Sequence, residues 1–116
     1  FNGIAELTVN SSGNGGSLSM NFPNFYNIDF GLDISGNSFT GNNVTVTDNG
    51  NTSGINLLTN SIKQPDTTSL PGAVSTYLEG NFYGNPAGNS ASEATGVFNL
   101  IDSNNSTVSG SFGVKQ

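Results

Sequence analysis

Few side chains in this sequence are of the types that perform catalysis. The chain contains no His and no Cys, so the commonest general bases and the thiol nucleophile are missing. Asp29 and Asp33 are four residues apart in an alternating segment, which places them about 13 Å apart on one strand face. That spacing is too wide for a paired-carboxylate hydrolase and is typical of a solvated outer face. We therefore predict a protein that is not an enzyme and that uses no cofactor.

Two short segments carry the oxygen ligands that Ca²⁺ prefers, residues 48–51 (DNGN) and residues 102–105 (DSNN). Neither segment is followed by the distal Glu of a calcium loop at the required spacing. Asp and Asn are also the residues that tight turns favour, because their side chains bond to the backbone of the turn. We interpret both segments as turns, with calcium binding as the alternative, and predict that the domain folds without metal.

Aromatic residues outside the predicted inward faces are the remaining candidates for a binding role. Phe25 and Tyr26 follow Pro23-Asn24 in a predicted connection between strands, and Tyr83 flanks a predicted turn. Exposed aromatic side chains in loops are common anchors for a partner. For Phe25 and Tyr26, covering the end of the folded domain is the competing interpretation. We therefore name Phe25, Tyr26 and Tyr83 as candidate partner-binding residues.

The charge balance excludes two classes of partner. The chain has eight acidic and only two basic side chains, which gives a formal net charge of −6. Nucleic-acid binding needs a basic surface that neutralises phosphates, and attraction to an anionic membrane needs one as well. No apolar run approaches the ~20 residues of a transmembrane helix. We expect neither nucleic-acid binding nor direct membrane insertion.

Alternating apolar and polar residues predict the elements that position these side chains. Residues 27–34 alternate most cleanly, and residues 35–37 after them predict a tight hairpin turn. No helix is predicted, and residues 61–72 are interpreted as a loop because Pro65 and Pro71 cannot donate to a strand ladder. The predicted strands, of which the fifth is weak, are residues 3–9, 17–22, 27–34, 38–47, 54–59, 76–82, 94–101 and 107–114.

Gly and Phe recur together on one face of the last three predicted strands. In each strand a Gly precedes a Phe by two residues: Gly80 and Phe82, Gly96 and Phe98, Gly110 and Phe112. Gly weakens a strand interior unless the sheet bends sharply or an aromatic ring covers the gap, and we expect these three rings to do so. The pattern predicts an all-β fold, a single antiparallel up-and-down β-barrel of about eight strands over residues 1–116. At this size we expect an interior filled with apolar side chains and no ligand cavity.

Several of these residues form a longer pattern. Its members are residues 39–41 (FTG), 80–84 (GNFYG), Ala87, Glu93, Gly96, Phe98 and residues 111–115 (SFGVK). The pattern resembles the F-T-G element, the G-x-F-Y-G-P-x-A-x-E-x-G-G-x-F signature and the closing A-F-G-G-K of the transferrin-binding protein B-like barrel domains. The resemblance covers about residues 27–116. It departs from the signature at Asn85-Pro86, in an insertion before Glu93, and at Ala94-Thr95, where the family often has Gly.

The resemblance implies binding rather than catalysis. It implies an eight-stranded barrel of a bacterial surface-exposed or secreted protein, such as an outer-membrane lipoprotein, that contacts a host or extracellular protein through its loops. Extracellular space or the bacterial cell surface is the location that follows. A structural module of a larger adhesin and the terminal domain of a cell-envelope sensor are the alternatives. Because the chain starts at Phe1 rather than Met, we expect a domain excised from a longer exported protein.

Overall fold

The fold is built entirely from β-strands in the part of the chain that the computed structural model describes, residues 1–57, 61–65, 75–84 and 93–115. No α-helix occurs in these four stretches, so the predicted all-β class is confirmed. The strands are β1 (Ile4–Val9), β2 (Gly15–Asn21), β3 (Phe25–Ser35), β4 (Ser38–Asn49), β5 (Tyr77–Tyr83), β6 (Glu93–Ile101) and β7 (Thr107–Lys115).

The strands form one antiparallel up-and-down sheet. Each strand pairs with the next, in the order β1-β2-β3-β4-β5-β6-β7. Leu7, Leu18, Phe30 and Val44 lie in one row across the inner face of β1 to β4, where alternation places the apolar side chains. β1 and β7 approach each other at the open side without forming a ladder. Over the described residues the sheet is thus a curled half-barrel of seven strands, which agrees with the predicted barrel of about eight strands.

The long hairpin of β3 and β4 contains one irregularity. A two-residue loop, Gly36-Asn37, joins the strands as predicted, with Gly36 at φ 60°. Farther along, Gly31 pairs with Asn43 while Leu32 pairs with Gly41, so Asn42 is an extra residue that forms a β-bulge. The side chain of Asn43 accepts a hydrogen bond from Gly31 N at 3.2 Å. This contact satisfies a donor at the point where the ladder is interrupted.

Phenylalanine rings lie over glycines in the closing half of the sheet. Phe39, Gly80, Gly96 and Phe112 form one row across β4, β5, β6 and β7. The ring of Phe39 covers Gly80, the ring of Phe112 covers Gly96, and the two ring centroids are 6.1 Å apart. Because the glycines lack a β-carbon, the rings approach the backbone closely and the sheet can curl around them.

Of the three rings predicted to cover these glycines, Phe98 and Phe112 do so and Phe82 does not. Both rings act across the ladder: a β-carbon on Gly110 would lie 2.7 Å from the ring of Phe98, and Gly96 lies under Phe112, so neither ring covers the Gly of its own strand. Gly80 is covered by Phe39 rather than by Phe82. The register explains the difference, because Phe39 lies directly opposite Gly80, whereas Phe82 lies opposite Ala94.

The predicted weak strand over residues 54–59 is wrong for residues 54–57, which form no ladder, and residues 58–59 lie outside the described residues. Leu57 is buried in the core instead, and its N–H donates to Tyr26 Oη at 2.9 Å. β4 pairs with β5 only at residues 38–40. Farther along β4, the Gln64 side chain bonds to both backbone groups of Val44, as a neighbouring strand would.

The predicted loop over residues 61–72 is described only as far as residue 65. Within that stretch Ile62 forms an isolated antiparallel bridge with Asp102, and Lys63 N donates to Ile101 O at 2.9 Å. The segment therefore lies between the edge of β4, through Gln64, and the end of β6. Residues 66–72 lie outside the described part, as do Asn85-Pro86 and Ala87 of the resemblance.

Candidate functional site

The outer face of β5 and β6 brings together aromatic, apolar and acidic side chains. Leu78 and Gly80 of β5 are buried, so Tyr77, Glu79 and Tyr83 point to the opposite, outer side. The ladder places Tyr83 opposite Glu93 and Glu79 opposite Val97. We call the five residues Tyr77, Glu79, Tyr83, Glu93 and Val97 the Tyr–Glu face.

The apolar members of the Tyr–Glu face are open to solvent. Tyr77 is 41% exposed, Tyr83 is 51% exposed and Val97 is 46% exposed. Tyr83 was predicted from the sequence as a candidate binding residue, and its exposure leaves the ring accessible. The other four were missed, because exposed side chains were expected only in the connections between predicted strands. Strand alternation could have identified them. Tyr77 and Glu79 alternate with Leu78 and Gly80, so they must face the opposite side of the sheet from these buried residues.

The electrostatics of this face are dominated by carboxylates. Lys115 Nζ lies 3.6 Å from Glu93 Oε1, and both side chains are largely exposed. Glu79 has no ion-pair partner among the residues that the structure describes. The row through Glu79 runs from Asp33 on β3 through Thr40 on β4. Strand spacing therefore places Asp33 about 10 Å from Glu79, close enough to add to the negative potential.

The prediction that Phe25 and Tyr26 lie in a connection is wrong. Both belong to β3, and each is only 2% exposed. The cause is a tighter turn than expected, because Asn24 adopts a left-handed conformation with φ 63° and the strand starts directly after it. The Phe25 ring stacks on Phe1 with centroids 4.3 Å apart. Burial leaves neither side chain available at the surface.

The hydroxyl of Tyr26 is also committed to internal contacts. It accepts a hydrogen bond from Leu57 N at 2.9 Å and one from Asn51 Nδ2 at 3.2 Å. It also lies 3.3 Å from Ile55 O, to which it donates. Tyr26 therefore fixes residues 51–57 against the core, which is a structural role for this side chain.

Both Asp-containing segments make the backbone contacts of turns, as their interpretation as turns predicts. Asp48 Oδ1 accepts from Gly50 N at 2.8 Å and from Asn51 N at 3.0 Å. Asp102 Oδ1 accepts from Asn104 N and Ser106 N, each at 2.9 Å, while its buried Oδ2 has no hydrogen-bond partner within the described stretches. Within the described stretches, no three His, Cys, Asp or Glu side chains gather into a possible metal site.

A cleft of about 160 Å³ lies where β1 and β7 approach each other. Its walls include Ile4 and Ala5 of β1, and Ser111 and Phe112 of β7. It opens at the side of the sheet, while the centre of the sheet is packed with rings such as Phe30 and Phe98, whose centroids are 6.3 Å apart. The filled core around these rings agrees with the predicted small-barrel interior.

No helix in the described part of the chain is long and apolar enough to cross a membrane.

Comparison with known proteins identifies the family of the chain. No curated protein and no solved structure matches the chain. A family model of the C-lobe and N-lobe β-barrels of transferrin-binding protein B matches residues 15–116, which include β2 to β7. The chain therefore belongs to the family of transferrin-binding protein B barrel domains.

Proposed function

We propose that this domain is a non-enzymatic binding barrel of a bacterial surface-exposed or secreted protein. In this proposal it contacts a host or extracellular protein through its loops and through Tyr83. The observation that carries the proposal is the family match over residues 15–116, because the matched family is named for a protein that binds transferrin. A host protein is therefore the kind of partner that we propose, and the cell surface is the place of contact.

The distribution of side chains supports this role. The core is occupied by Phe rings, so a partner would be contacted from the outside of the sheet. Tyr83 ends β5 and is followed by Gly84, which has φ 66°, so its ring lies where the strand gives way to a connection. Aromatic residues exposed at such sites supply a large contact area at low entropic cost.

The experiment is capture by the immobilised domain from serum and mucosal secretions of several hosts. We expect a retained component whose binding saturates, is weakened by Tyr83→Ser and is largely kept by Tyr83→Phe, which preserves the ring. Melting curves of both variants serve as the control for folding. If no component is retained from any host, the binding proposal is overturned, and a structural module of an adhesin or an envelope sensor becomes the better account.

A further inference from the structure

The Tyr–Glu face contains the same combination of groups twice. Tyr83 lies directly opposite Glu93, and Tyr77 lies two residues from Glu79 on the same face of β5. In both places a Glu and an exposed Tyr share the outer face, with β-carbons about 5 Å apart across the ladder and about 7 Å apart along the strand. Val97, opposite Glu79, adds an exposed apolar side chain next to the second combination.

One of the two combinations already holds a cation from the chain itself. Lys115 lies opposite Glu93 in the ladder, and its ammonium group is 3.6 Å from the carboxylate. In contrast, Glu79 has no cation beside it among the described residues, and Asp33 lies in the same row two strands away. The site around Glu79 is therefore a carboxylate on the same face as an exposed Tyr, and this carboxylate has no ion-pair partner among the residues that the structure describes.

We propose that the Tyr–Glu face binds a segment of a partner protein that presents lysine or arginine side chains. The cation would lie over the ring of Tyr77, where the negative face of the aromatic system attracts it, and beside the carboxylate of Glu79. The aliphatic stem of the same side chain would pack on Val97. The proposal rests on the proposed function, because it names the chemistry of the partner on this surface.

The charge of the chain favours this occupant over the alternatives. The formal net charge is −6, so a second copy would meet this face with the same sign of charge. Nucleic acid and anionic lipid are disfavoured for the same reason. A basic protein segment is attracted by the face and by the molecule as a whole, which raises the rate of encounter.

The test uses the isotope-labelled domain and a short peptide of alternating Arg and Gly as the probe, with the matching Glu and Gly peptide as its control. NMR titration should shift the amide signals of Tyr77, Glu79 and Val97 with the Arg peptide and not with the Glu peptide. Raising the salt concentration should weaken the effect, because an exposed ion pair is screened. Shifts that are spread over all acidic positions, or that are absent from the Tyr–Glu face, would overturn the proposal.

Variants separate local recognition from general attraction. We expect Glu79→Gln and Tyr77→Thr each to raise the Kd of the Arg peptide about three-fold, and the double variant about ten-fold. Asp29→Asn is the matched control, because it removes the same charge from the outer face of β3, farther along the strand than Asp33. Strand geometry places Asp29 about 16 Å from Glu79, which is about two Debye lengths at ordinary ionic strength and farther than the roughly 10 Å of Asp33, so the Kd should stay nearly unchanged. Equal effects of Glu79→Gln and Asp29→Asn would overturn the proposal.

The outcome can be separated from that of the proposed function. If serum proteins are captured through Tyr83 and neither Glu79→Gln nor Tyr77→Thr weakens the capture or the peptide binding, the domain is a binding module and this inference is wrong. If the Arg peptide binds at the Tyr–Glu face and no host protein is retained, the chemistry assigned to the face stands and the proposed host partner falls.

Discussion

At Gly96 and Gly110, aromatic rings lie too close to the backbone to leave space for a β-carbon. A β-carbon on Gly96 would meet the backbone oxygen of Glu79 and would lie 2.8 Å from Cε1 of Phe112, and one on Gly110 would lie 2.7 Å from Phe98. We expect Gly96→Val and Gly110→Val each to lower the free energy of unfolding by about 1–3 kcal/mol through overpacking. The loss should be larger at Gly96, because a backbone atom cannot move aside as a side chain can. Denaturant unfolding measures both changes.

Gly113 provides the matched control for these substitutions. It lies in β7 as Gly110 does, but a β-carbon added there would meet no atom within 4 Å. Gly113→Val should therefore be neutral or stabilising, since Val favours strands and Gly loses the most entropy on folding. Higher melting temperatures for Gly96→Val and Gly110→Val would remove the physical argument for a sheet that curls around these rings.

Phe30 tests the inner face of β3 at the same scale. Its ring is 1% exposed and packs against Phe98 at a centroid distance of 6.3 Å. Phe30→Ala should lower the free energy of unfolding by about 3–5 kcal/mol, because it removes a fully buried ring and leaves a cavity. The neighbouring exposed Asp29, changed to Ala, should shift it by no more than about 0.5 kcal/mol. A loss below about 1 kcal/mol at Phe30 in denaturant unfolding would show that this ring contributes little to the core.

At the scale of the elements, the side chain of Gln64 forms hydrogen bonds to the edge of β4 that a neighbouring strand would otherwise form. Gln64 Nε2 donates to Val44 O at 2.9 Å, and Val44 N donates to Gln64 Oε1 at 2.8 Å. Gln64→Ala removes both bonds, and we expect a loss of about 1–2 kcal/mol. The amide of Val44 should also exchange its hydrogen faster, which NMR can follow residue by residue.

Lys63→Ala is the control for this change, because the contact that Lys63 makes with Ile101 uses its backbone N–H and survives the substitution. Gln64→Glu should fall between the two in its effect, since it keeps an acceptor for Val44 N but places a carboxylate against Val44 O. Unchanged exchange at Val44 in Gln64→Ala would show that the side chain does not protect this edge.

The elements also show how far periodicity determines structure. Alternation predicted the strands that became β1 to β7 to within two residues at each end, because burial of one face imposes a period of two. It failed at residues 54–57, which form no strand. There Leu57 is buried, and its backbone N–H is hydrogen-bonded to Tyr26. It also failed at Phe25, because the left-handed conformation of Asn24 that shortens the turn has no period to reveal it. The Tyr–Glu face depends on the register of two strands, which one strand alone does not give.

At the scale of the whole molecule, folding has neither disulfides nor many ion pairs to support it. The chain has no Cys, and among the described residues Lys115 and Glu93 form the one salt bridge. An exposed pair of this kind contributes at most about 1 kcal/mol. Stability therefore comes from the continuous apolar core that joins β2 to β7. This dependence explains why apolar alternation, together with the Gly–Phe pattern, predicted the architecture.

The remaining question at this scale is whether a metal ion contributes to folding. Asp48 and Asp102 each direct a carboxylate oxygen at two backbone N–H groups, so both side chains already act within turns. If no metal ion binds the folded domain, a chelator removes nothing that stabilises it. We therefore expect the same melting temperature with and without a chelator. Asp102→Asn should cost less than Asp102→Ala, since an amide oxygen can still accept from Asn104 N and Ser106 N. If added calcium raised the melting temperature, and Asp102→Asn abolished that rise, Asp102 would be a calcium ligand and the turn interpretation would be incomplete.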